Sequence, residues 1–348
     1  VIYTSGTTGR PKGAVITHAN QLVTHCFVNA LEWGIGPEDR YLVTTPLAHR
    51  TGLGRLTNAL TLGGTVVVME KFDPERALAL IEKYSIDMSQ WVPTHFVRML
   101  KLPEEVRKRY DVSSLKLAVH AAAPCPVSVK REMIEWWGPI VFEYFGSTEQ
   151  TAMTFITSEE WLKKPGSVGR CQLGAIRICD DEGEPVPPGV IGTLYSENGK
   201  KFYYHNDEAK TAQSRNRYGW TTVGDVGYVD EDGYIFLTDR KHFMIITGGV
   251  NVYPQEIENL LVTHPKIADA AVIGVPDLEM GEIVTAVIQP LDMADATPAF
   301  AEELRAWMRK SLSGVKVPKR IEFQDDLPRL PTGKMQKFAL RERYAKSA

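Results

Sequence analysis

A loop rich in glycine and hydroxyl side chains lies almost at the start of the chain, in the stretch YTSGTTGRPKG that ends at Gly13. Gly6 and Gly9 let backbone N–H groups turn toward an anion without interference from a Cβ atom. Lys12 adds a point charge that suits phosphate. The hydroxyl donors of the stretch are Thr4, Ser5, Thr7 and Thr8. These residue types predict a phosphate-binding loop rather than a polar linker.

The spacing of this loop excludes two common phosphate motifs. A Walker loop requires Gly-Lys followed by Ser or Thr, whereas Gly9 is followed by Arg10 and Lys12 is followed by Gly13. A dinucleotide-binding fingerprint fails too, because Thr57 occupies the place of the third glycine after Gly52 and Gly54. The loop therefore belongs to another class of phosphate site.

Composition and charge exclude several classes of function. The 348 residues carry a formal net charge of −3 and a pI near 6.3, so no basic surface for nucleic acid or acidic membranes is expected. The apolar runs are shorter than the roughly 20 residues that a transmembrane helix needs. Cysteines without CxxC spacing predict scattered buried thiols in a reducing compartment, and hence a cytoplasmic protein. These cysteines are Cys26, Cys125, Cys171 and Cys179.

Short β-branched runs alternate with helical patterns through most of the length, and this alternation predicts an α/β fold. We expect a strand at Thr65–Met69, followed by a helix that Asp73 caps and Pro74 opens. Short strands and tight turns from residue 189 to about residue 239 predict a small β-rich subdomain. An Asp-Gly hairpin turn is expected at Asp232–Gly233.

A second compact unit is expected after Arg240, with the domain boundary near Lys241–Phe243. A hairpin across Gly248–Gly249 leads there into a helix that begins at Pro254. The remaining predicted elements are strands at Ala270–Val275 and Ile283–Ile288 and a helix at Ala299–Ser311. The sequence thus predicts a large N-terminal domain of mixed sheets and packed helices, residues 1–241, and a small α+β C-terminal domain, residues 242–348.

Five further blocks follow the glycine loop in order: AAAPCP, EYFGSTEQT, WTTVGDVGYVDEDGY, TDRKHFMIITGGVNVYPQEIE and LPRLPTGKMQK. With the loop, they closely resemble the adenylate-forming enzymes, the superfamily of acyl-CoA synthetases, peptide-synthetase adenylation domains and beetle luciferase. The resemblance extends across essentially the whole chain. It implies that ATP, coenzyme A and a carboxylic acid are the substrates.

The resemblance also implies a nucleotide site. Phe145 would stack on adenine in place of the usual tyrosine, and Thr148 would contact the α-phosphate. Glu149 would bind Mg²⁺, a cation that needs one or two protein carboxylates when it bridges a polyphosphate. Asp225 and Arg240 would reach the ribose hydroxyls. The other residues at the adenine are Ala122, Ala123, Pro124 and Gly146.

The last two blocks imply a mobile C-terminal domain. His242 would occupy the hinge position, where the family more often has Asp or Lys, and Lys334 would be the adenylation lysine. In the implied mechanism the acid attacks the α-phosphorus of ATP and pyrophosphate leaves. The domain then rotates about the hinge, and Gly248 and Gly249 leave room for the pantetheine arm of coenzyme A, whose thiolate attacks the acyl adenylate.

The stretch PLAHRTGL resembles the acyl- and aryl-CoA ligase branch, with His49 beside the carboxylate pocket. No aspartate lies between Tyr41 and Leu53, so an amino-acid substrate is disfavoured. Tyr144, just before the stacking Phe145, would line the acyl tunnel. The interpretation favours a fatty-acyl or related hydrophobic acid, with aryl and cyclic acids left open.

Two alternatives to an acyl-CoA ligase stay open: an adenylating enzyme that loads a carrier protein, and a non-catalytic nucleotide-binding fragment. Family members carry a long segment before the phosphate loop, whereas Val1 and Ile2 alone precede Tyr3 here. We therefore expect a truncated chain with little ligase turnover of its own. An apolar first strand would need a sheet neighbour, either the missing segment or a second copy of the chain.

Replacing Lys334 separates the two half-reactions. Lys334→Ala in the natural polypeptide should strongly slow acyl-adenylate formation and spare thioester formation from pre-formed acyl adenylate, because the resemblance assigns this cation to one domain orientation. Each half-reaction is measured alone, by pyrophosphate release and by thioester yield. An equal loss in both would contradict the assignment.

Overall fold

A computed structural model of the chain describes residues 1–5, 11–19, 33–149, 152–198, 202–329 and 335–345. The chain divides into two compact units, Val1–Leu237 and Thr238–Ala348. In the described ranges, no helix is both long and apolar enough to cross a membrane.

Strands make up much of both units. Numbered along the chain, they are β1 (Ile2–Ser5), β2 (Pro11–Val15), β3 (Arg40–Val43), β4 (Thr65–Val68), β5 (Met88–Trp91), β6 (Leu117–His120), β7 (Val141–Gly146), β8 (Met153–Ile156), β9 (Ser167–Leu173), β10 (Ala175–Cys179), β11 (Gly192–Glu197), β12 (Tyr203–Tyr204), β13 (Asp225–Val229), β14 (Ile235–Arg240), β15 (Ile245–Thr247), β16 (Val250–Val252), β17 (Ile267–Asp277), β18 (Gly281–Pro290) and β19 (Arg320–Phe323).

Helices connect and cover these strands. The α-helices are α1 (Arg50–Leu62), α2 (Pro74–Tyr84), α3 (Pro93–Leu100), α4 (Glu104–Arg107), α5 (Val127–Trp137), α6 (Ser158–Lys163), α7 (Glu208–Gln213), α8 (Pro254–Leu261), α9 (Pro298–Met308) and α10 (Lys337–Ala345). Short 3₁₀ turns lie at Lys241–Phe243, Met293–Asp295 and Gly314–Lys316.

The first unit is organised around one large mixed sheet. Its strand order is β10-β11-β13-β14-β9-β8-β7-β6-β5-β3-β4, and β4, β3, β5, β6 and β7 run parallel. The parallel strands are joined by helices, as βαβ connections require. A separate antiparallel sheet pairs β1 with β2 and β2 with β12. The predicted α/β class, with a large sheet-rich N-terminal part, is confirmed.

The predicted helix cap and hairpin turn of the first unit are present in the structure. The side chain of Asp73 accepts a hydrogen bond of 2.8 Å from the backbone N–H of Arg76, and Pro74 begins α2. The predicted strand before this helix is β4. The hairpin between β13 and β14 turns at Gly233, whose φ of +81° lies in the left-handed region that favours glycine. The strands of the β-rich segment do not form a sheet of their own: β11, β13 and β14 join the large sheet, and β12 joins β1 and β2.

The second unit packs helices on both faces of a small sheet with the order β16-β15-β18-β17 and β19 beside β18. Side chains of β17 alternate between two cores, as the two-residue period of a strand requires. Val272 packs with Phe300 and Leu304 of α9, and Ile273 packs with Leu340 of α10. Each face of the sheet is therefore covered from within this unit.

Three elements in this unit were predicted with the wrong boundaries. β17 and β18 extend beyond Ala270–Val275 and Ile283–Ile288, because their antiparallel register continues from Asp277 opposite Gly281 out to Pro290. The helix predicted at Ala299–Ser311 is α9, which starts at Pro298 because Thr297 caps it, accepting from the N–H of Phe300 at 3.2 Å, and ends at Met308.

The predicted state of the cysteines holds in part. Cys179 is buried, as expected, whereas Cys125 and Cys171 are partly exposed. None of these three cysteines forms a disulfide. Cys26 lies outside the described residues.

The second unit should fold by itself. A fragment that begins at Thr238 is expected to unfold cooperatively in urea, because both faces of its sheet are covered by its own helices. Leu304→Ala should lower its free energy of unfolding by about 2–5 kcal/mol, since Leu304 is fully buried. Exposed Glu303 on the same helix supplies the control: Glu303→Ala should change it by less than about 0.5 kcal/mol. A non-cooperative transition would contradict the expectation.

Candidate active site

The predicted phosphate loop is carried by the hairpin of β1 and β2. Thr4 lies directly opposite Lys12 in the antiparallel register, and Ser5 lies opposite Pro11. The turn between these strands, with Gly6, Thr7, Thr8 and Gly9, lies outside the described residues. The structure thus places the two ends of the loop side by side, as an anion-binding turn requires.

A tyrosine that the sequence analysis missed connects this hairpin to the EYFGSTEQT block. Lys12 Nζ lies 5.3 Å from the centre of the Tyr204 ring. The Tyr204 hydroxyl donates a 2.7 Å hydrogen bond to Oε1 of Glu149, which is only 6% exposed. Tyr204 lies in β12, which pairs with β2 at Ala14. A cation and a buried carboxylate therefore meet across one aromatic ring.

These side chains fit a magnesium ion that bridges polyphosphate. Glu149 supplies one hard carboxylate, and Mg²⁺ usually takes one or two carboxylates from protein and the rest from phosphate and water. Within the described ranges, no cluster of three or more His, Cys, Asp or Glu side chains could hold a metal by itself. Thr148 lies next to Glu149, at the end of the same block.

The two segments predicted to enclose adenine lie at one edge of the large sheet. β6 and β7 are parallel neighbours with His120 opposite Glu143, so the residues that follow each strand leave the sheet at the same edge. The predicted residues Ala121–Pro126 follow β6, and Tyr144, Phe145 and Gly146 end β7. Phe145 is half-buried, and its N–H donates to Thr154 Oγ1 at 3.3 Å.

Ala122 adopts a backbone conformation that is costly for a residue with a side chain. Its φ of +75° lies in the left-handed region, which costs a non-glycine residue on the order of 1 kcal/mol. Glycine would adopt this conformation without that cost, because it has no Cβ atom. The segment is thus held in this shape by its surroundings rather than by its own preference.

A buried charge pair lies beneath these segments. Lys130 of α5 donates a 2.7 Å hydrogen bond to Oε2 of Glu143, and the two side chains are 0% and 6% exposed. The Lys130 ammonium also lies 4.9 Å from the centre of the Trp161 ring. Burial raises the pKa of Glu143, and Lys130 opposes that rise. The sequence analysis missed this pair, because a lysine and a glutamate thirteen residues apart form no motif.

His120 completes the cluster as a neutral group. Its Nε2 lies 3.4 Å from the same Glu143 oxygen. Burial and the nearby Lys130 charge hold the pKa of His120 well below its usual range. The cluster therefore holds one cation, one carboxylate and one neutral ring between α5, β6 and β7.

The other predicted nucleotide and hinge residues are divided between the two units. Asp225, buried in the first unit, begins β13. In the second unit, Arg240 ends β14 and His242 lies in the 3₁₀ turn, where its ring stacks on Phe338 with centroids 5.9 Å apart. Gly248 and Gly249 form the turn between β15 and β16 with φ of +56° and +77°.

Lys334 lies outside the described residues, but ion pairs anchor both flanks of its loop. On one side, the Arg329 guanidinium donates to both carboxylate oxygens of Asp269, at 2.7 and 2.8 Å. On the other side, Lys337 lies 2.7 Å from Glu258. The same Glu258 oxygen accepts the N–H of Val272 at 2.6 Å. The chain therefore enters and leaves the loop at two defined points of the second unit.

The residues predicted at the acid lie around the start of α1. His49 is the N-cap, and its Nδ1 accepts the N–H of Thr51 at 3.3 Å. Arg50, which the sequence analysis passed over, is buried beside it. Burial, helped by the charge of Arg55, lowers the pKa of Arg50 to about 10, while Tyr144 and Glu149 oppose the change. Arg50 thus lies within electrostatic reach of both the acyl residue Tyr144 and the predicted metal ligand Glu149.

Removing one partner of the buried pair should destabilise the first unit. Lys130→Met is expected to cost about 3–5 kcal/mol of unfolding free energy, because it leaves the Glu143 carboxylate buried without a cation. The double substitution Lys130→Met with Glu143→Leu should recover most of that loss. Urea denaturation measures both. The matched control is Arg131→Met, at the exposed neighbour on α5; an equal loss in Lys130→Met and Arg131→Met would contradict the role of the pair.

The comparisons with known proteins identify the family of the chain. Residues 1–199 match the AMP-binding enzyme family, and residues 256–334 match the AMP-binding enzyme C-terminal domain. A feruloyl-CoA synthase of Amycolatopsis sp is 37% identical over 99% of this chain and 69% of its own length. A medium/long-chain-fatty-acid–CoA ligase of Mycobacterium tuberculosis is 32% identical over 99% of this chain and 61% of its own length.

Solved structures are similar along nearly the whole chain as well. The o-succinylbenzoate coenzyme A synthetase of Bacillus subtilis, in complex with ATP and a magnesium ion, is 31% identical with a TM-score of 0.82. The match covers 97% of this chain and 69% of that one. The sequence blocks, the mixed α/β fold and these relatives lead to one conclusion: the chain belongs to the AMP-binding enzyme family and is an AMP-forming acid–thiol ligase.

Proposed function

We propose that the protein activates a carboxylic acid with ATP, forms an acyl adenylate and transfers the acyl group to coenzyme A. The observation that carries this proposal is the contact of Lys12 with Tyr204, whose hydroxyl bonds Glu149. It puts the cation that ends the phosphate loop beside the carboxylate suited to magnesium. A nucleoside triphosphate with bound magnesium is a substrate that needs a cation and a metal-binding carboxylate in one place.

In the first half-reaction, the acid is held near His49 and its carboxylate oxygen attacks the α-phosphorus of ATP. A new P–O bond forms, the bond to the bridging oxygen breaks, and pyrophosphate leaves with the electron pair. Lys12 and Thr148 stabilise negative charge on the phosphates by position and electrostatics. Bound magnesium, held by Glu149, would neutralise polyphosphate charge. Phe145, the backbone of Ala122–Pro124 and Asp225 hold the nucleoside.

In the second half-reaction, the thiolate of coenzyme A attacks the acyl carbonyl and AMP leaves. We assign to Lys334 the cation that stabilises the phosphate charge in the first half-reaction. In the second half-reaction, the Gly248–Gly249 turn leaves room for the pantetheine arm of coenzyme A. The proposed domains are residues 1–241 for adenylation and residues 242–348 for the mobile C-terminal part, with His242 at the hinge. Arg240 would add a ribose contact.

The proposal leaves open which carboxylic acid is the substrate and which thiol accepts the acyl group. The relatives are named for acids as different as feruloyl and fatty acyl groups, so the family does not select one. A carrier-protein thiol is the alternative acceptor, and acceleration of AMP release by coenzyme A distinguishes the two. A cytoplasmic location and a homo-oligomer stay predictions.

Asp225→Ala tests the nucleotide site. It should weaken ATP binding by about 2–3 kcal/mol, or roughly 30- to 150-fold, because a carboxylate that accepts two ribose hydroxyls is lost. Acid-dependent pyrophosphate exchange by the natural polypeptide gives the ATP KM. Asp232→Ala, at the exposed turn of the same hairpin, is the control. A changed acid preference with an unchanged ATP KM would show that Asp225 contacts the acid instead.

A further inference from the structure

Tyr204 contacts both charged groups of the candidate phosphate site, although no sequence block contains it. Its hydroxyl donates a 2.7 Å hydrogen bond to Oε1 of Glu149, and its ring centre lies 5.3 Å from Lys12 Nζ. Tyr204 and Glu149 are each only 6% exposed. A hydrogen bond to a carboxylate is stronger than one between neutral groups, and burial keeps water from competing for it. Tyr204 therefore restrains the Glu149 carboxylate as well as packing beside it.

The surrounding structure holds Tyr204 itself in place. In the pairing of β12 with β2, Tyr204 lies opposite Ala14. Its backbone N–H donates to Thr211 Oγ1 of α7 at 2.9 Å. Its ring meets the Phe202 ring edge to face at 5.3 Å, and these two residues form a small core with Ala14. A donor that is fixed at both its backbone and its ring can keep an acceptor in one orientation.

The hydrogen bond gives the two oxygens of the Glu149 carboxylate different tasks. Each oxygen of a carboxylate can accept, so a hydroxyl at Oε1 leaves Oε2 able to coordinate a hard cation. Rotation of the carboxylate would break a buried hydrogen bond. Protein carboxylates that bind metals usually accept such hydrogen bonds from neighbouring groups, and losing one typically costs about 10- to 100-fold in metal affinity. Orientation matters most for Mg²⁺, which takes one or two carboxylates from protein.

The ring of Tyr204 has a different partner from its hydroxyl. Lys12 lies opposite Thr4 in the hairpin of β1 and β2, and its ammonium faces the Tyr204 ring. Aromatic rings attract cations in this position, with or without a hydroxyl group. One substitution can therefore separate the two contacts: Tyr204→Phe keeps the ring beside Lys12 and removes the donor to Glu149.

We propose that Tyr204 is a positioning residue for the metal of the first half-reaction, and that its hydroxyl orients Glu149 to bind Mg²⁺. The inference rests on the proposed function, because it takes Glu149 as the magnesium ligand. It assigns a role to a residue that lies 55 positions along the chain from that ligand. A tyrosine that served the core alone would be replaced by phenylalanine without effect on the metal.

The test measures metal binding by the natural polypeptide with Tyr204→Phe. Mn²⁺, which accepts the same oxygen ligands and is visible by electron paramagnetic resonance, is titrated in the presence of a non-hydrolysable ATP analogue. We expect its dissociation constant to rise by about 10- to 100-fold. Binding of the analogue without metal, in a chelator, should change by less than about twofold, because Lys12 keeps its ring. The Mg²⁺ concentration that gives half-maximal pyrophosphate exchange should rise with the Mn²⁺ dissociation constant.

Two further variants show whether the hydroxyl acts through Glu149. Tyr203→Phe makes the same substitution at the preceding residue of β12, whose side chain is 54% exposed on the other face of the strand, and it should leave metal affinity unchanged. Adding Tyr204→Phe to Glu149→Gln should cause little further loss of metal affinity, because the carboxylate that the hydroxyl orients is already gone.

Unchanged Mn²⁺ affinity in Tyr204→Phe would overturn the inference, and pyrophosphate exchange by the wild type would leave the ligase activity standing. A parallel loss of nucleotide binding with and without metal would also overturn it, since that result would show a general structural role. A wild type that binds no metal–nucleotide complex and exchanges pyrophosphate with none of a wide set of carboxylic acids would overturn the proposed function and this inference together.

Discussion

The buried pair of Lys130 and Glu143 constrains the nucleotide edge of the first unit more than any other contact there. Inside a protein, a carboxylate without its cation is far more costly than a missing apolar contact. Helix α5 and strand β7 therefore cannot slide past one another without separating the ion pair and leaving each charge buried alone. β7 carries Tyr144 and Phe145, and neutral His120 of β6 lies 3.4 Å from the same carboxylate. The charge pair fixes the position of α5 relative to β7 at this edge and adds little net stability.

The buried pair also explains why Ala122 can keep a strained backbone conformation. A left-handed alanine persists only where the surrounding structure overrides its own preference. The segment of Ala122 follows His120, at the end of β6, and precedes α5, which carries Lys130. Both ends of the strained segment are thus attached to the buried cluster. A backbone held from both ends can present the same surface to a flat base each time.

Buried polar groups have two contrasting roles in this unit. At Glu143 the carboxylate pairs with the Lys130 ammonium, whereas neither ring nitrogen of His120 makes a hydrogen bond within the described residues. In the described ranges, the Tyr41 hydroxyl and Gln90 Oε1 make no hydrogen bond, and both residues line a small cavity beside α1 together with Met88 and Val119. Sites where a protein breaks the rule of polar satisfaction are often those where a ligand supplies the missing group.

The sequence by itself determined the local elements and the identity of the chemistry. Caps and turns such as Asp73-Pro74 and Asp232–Gly233 depend on neighbours a few residues away, so they could be predicted from residue types. The motif blocks identified the family, although Lys334 and the turn of the phosphate loop remain predictions.

Tertiary structure decided which side chains meet, because those contacts join distant parts of the chain. The Tyr204–Glu149 hydrogen bond spans 55 residues, and no local pattern marks either partner for the other. The ends of β17 and β18 were misplaced for the same reason, since cross-strand pairing rather than residue type extends a strand. The cavity lined by Tyr41, Arg55 and Gln90 shows it most clearly. Tyr41, Arg55 and Gln90 come from three separate elements, and only the packing of α1 on the parallel sheet closes a cavity around them.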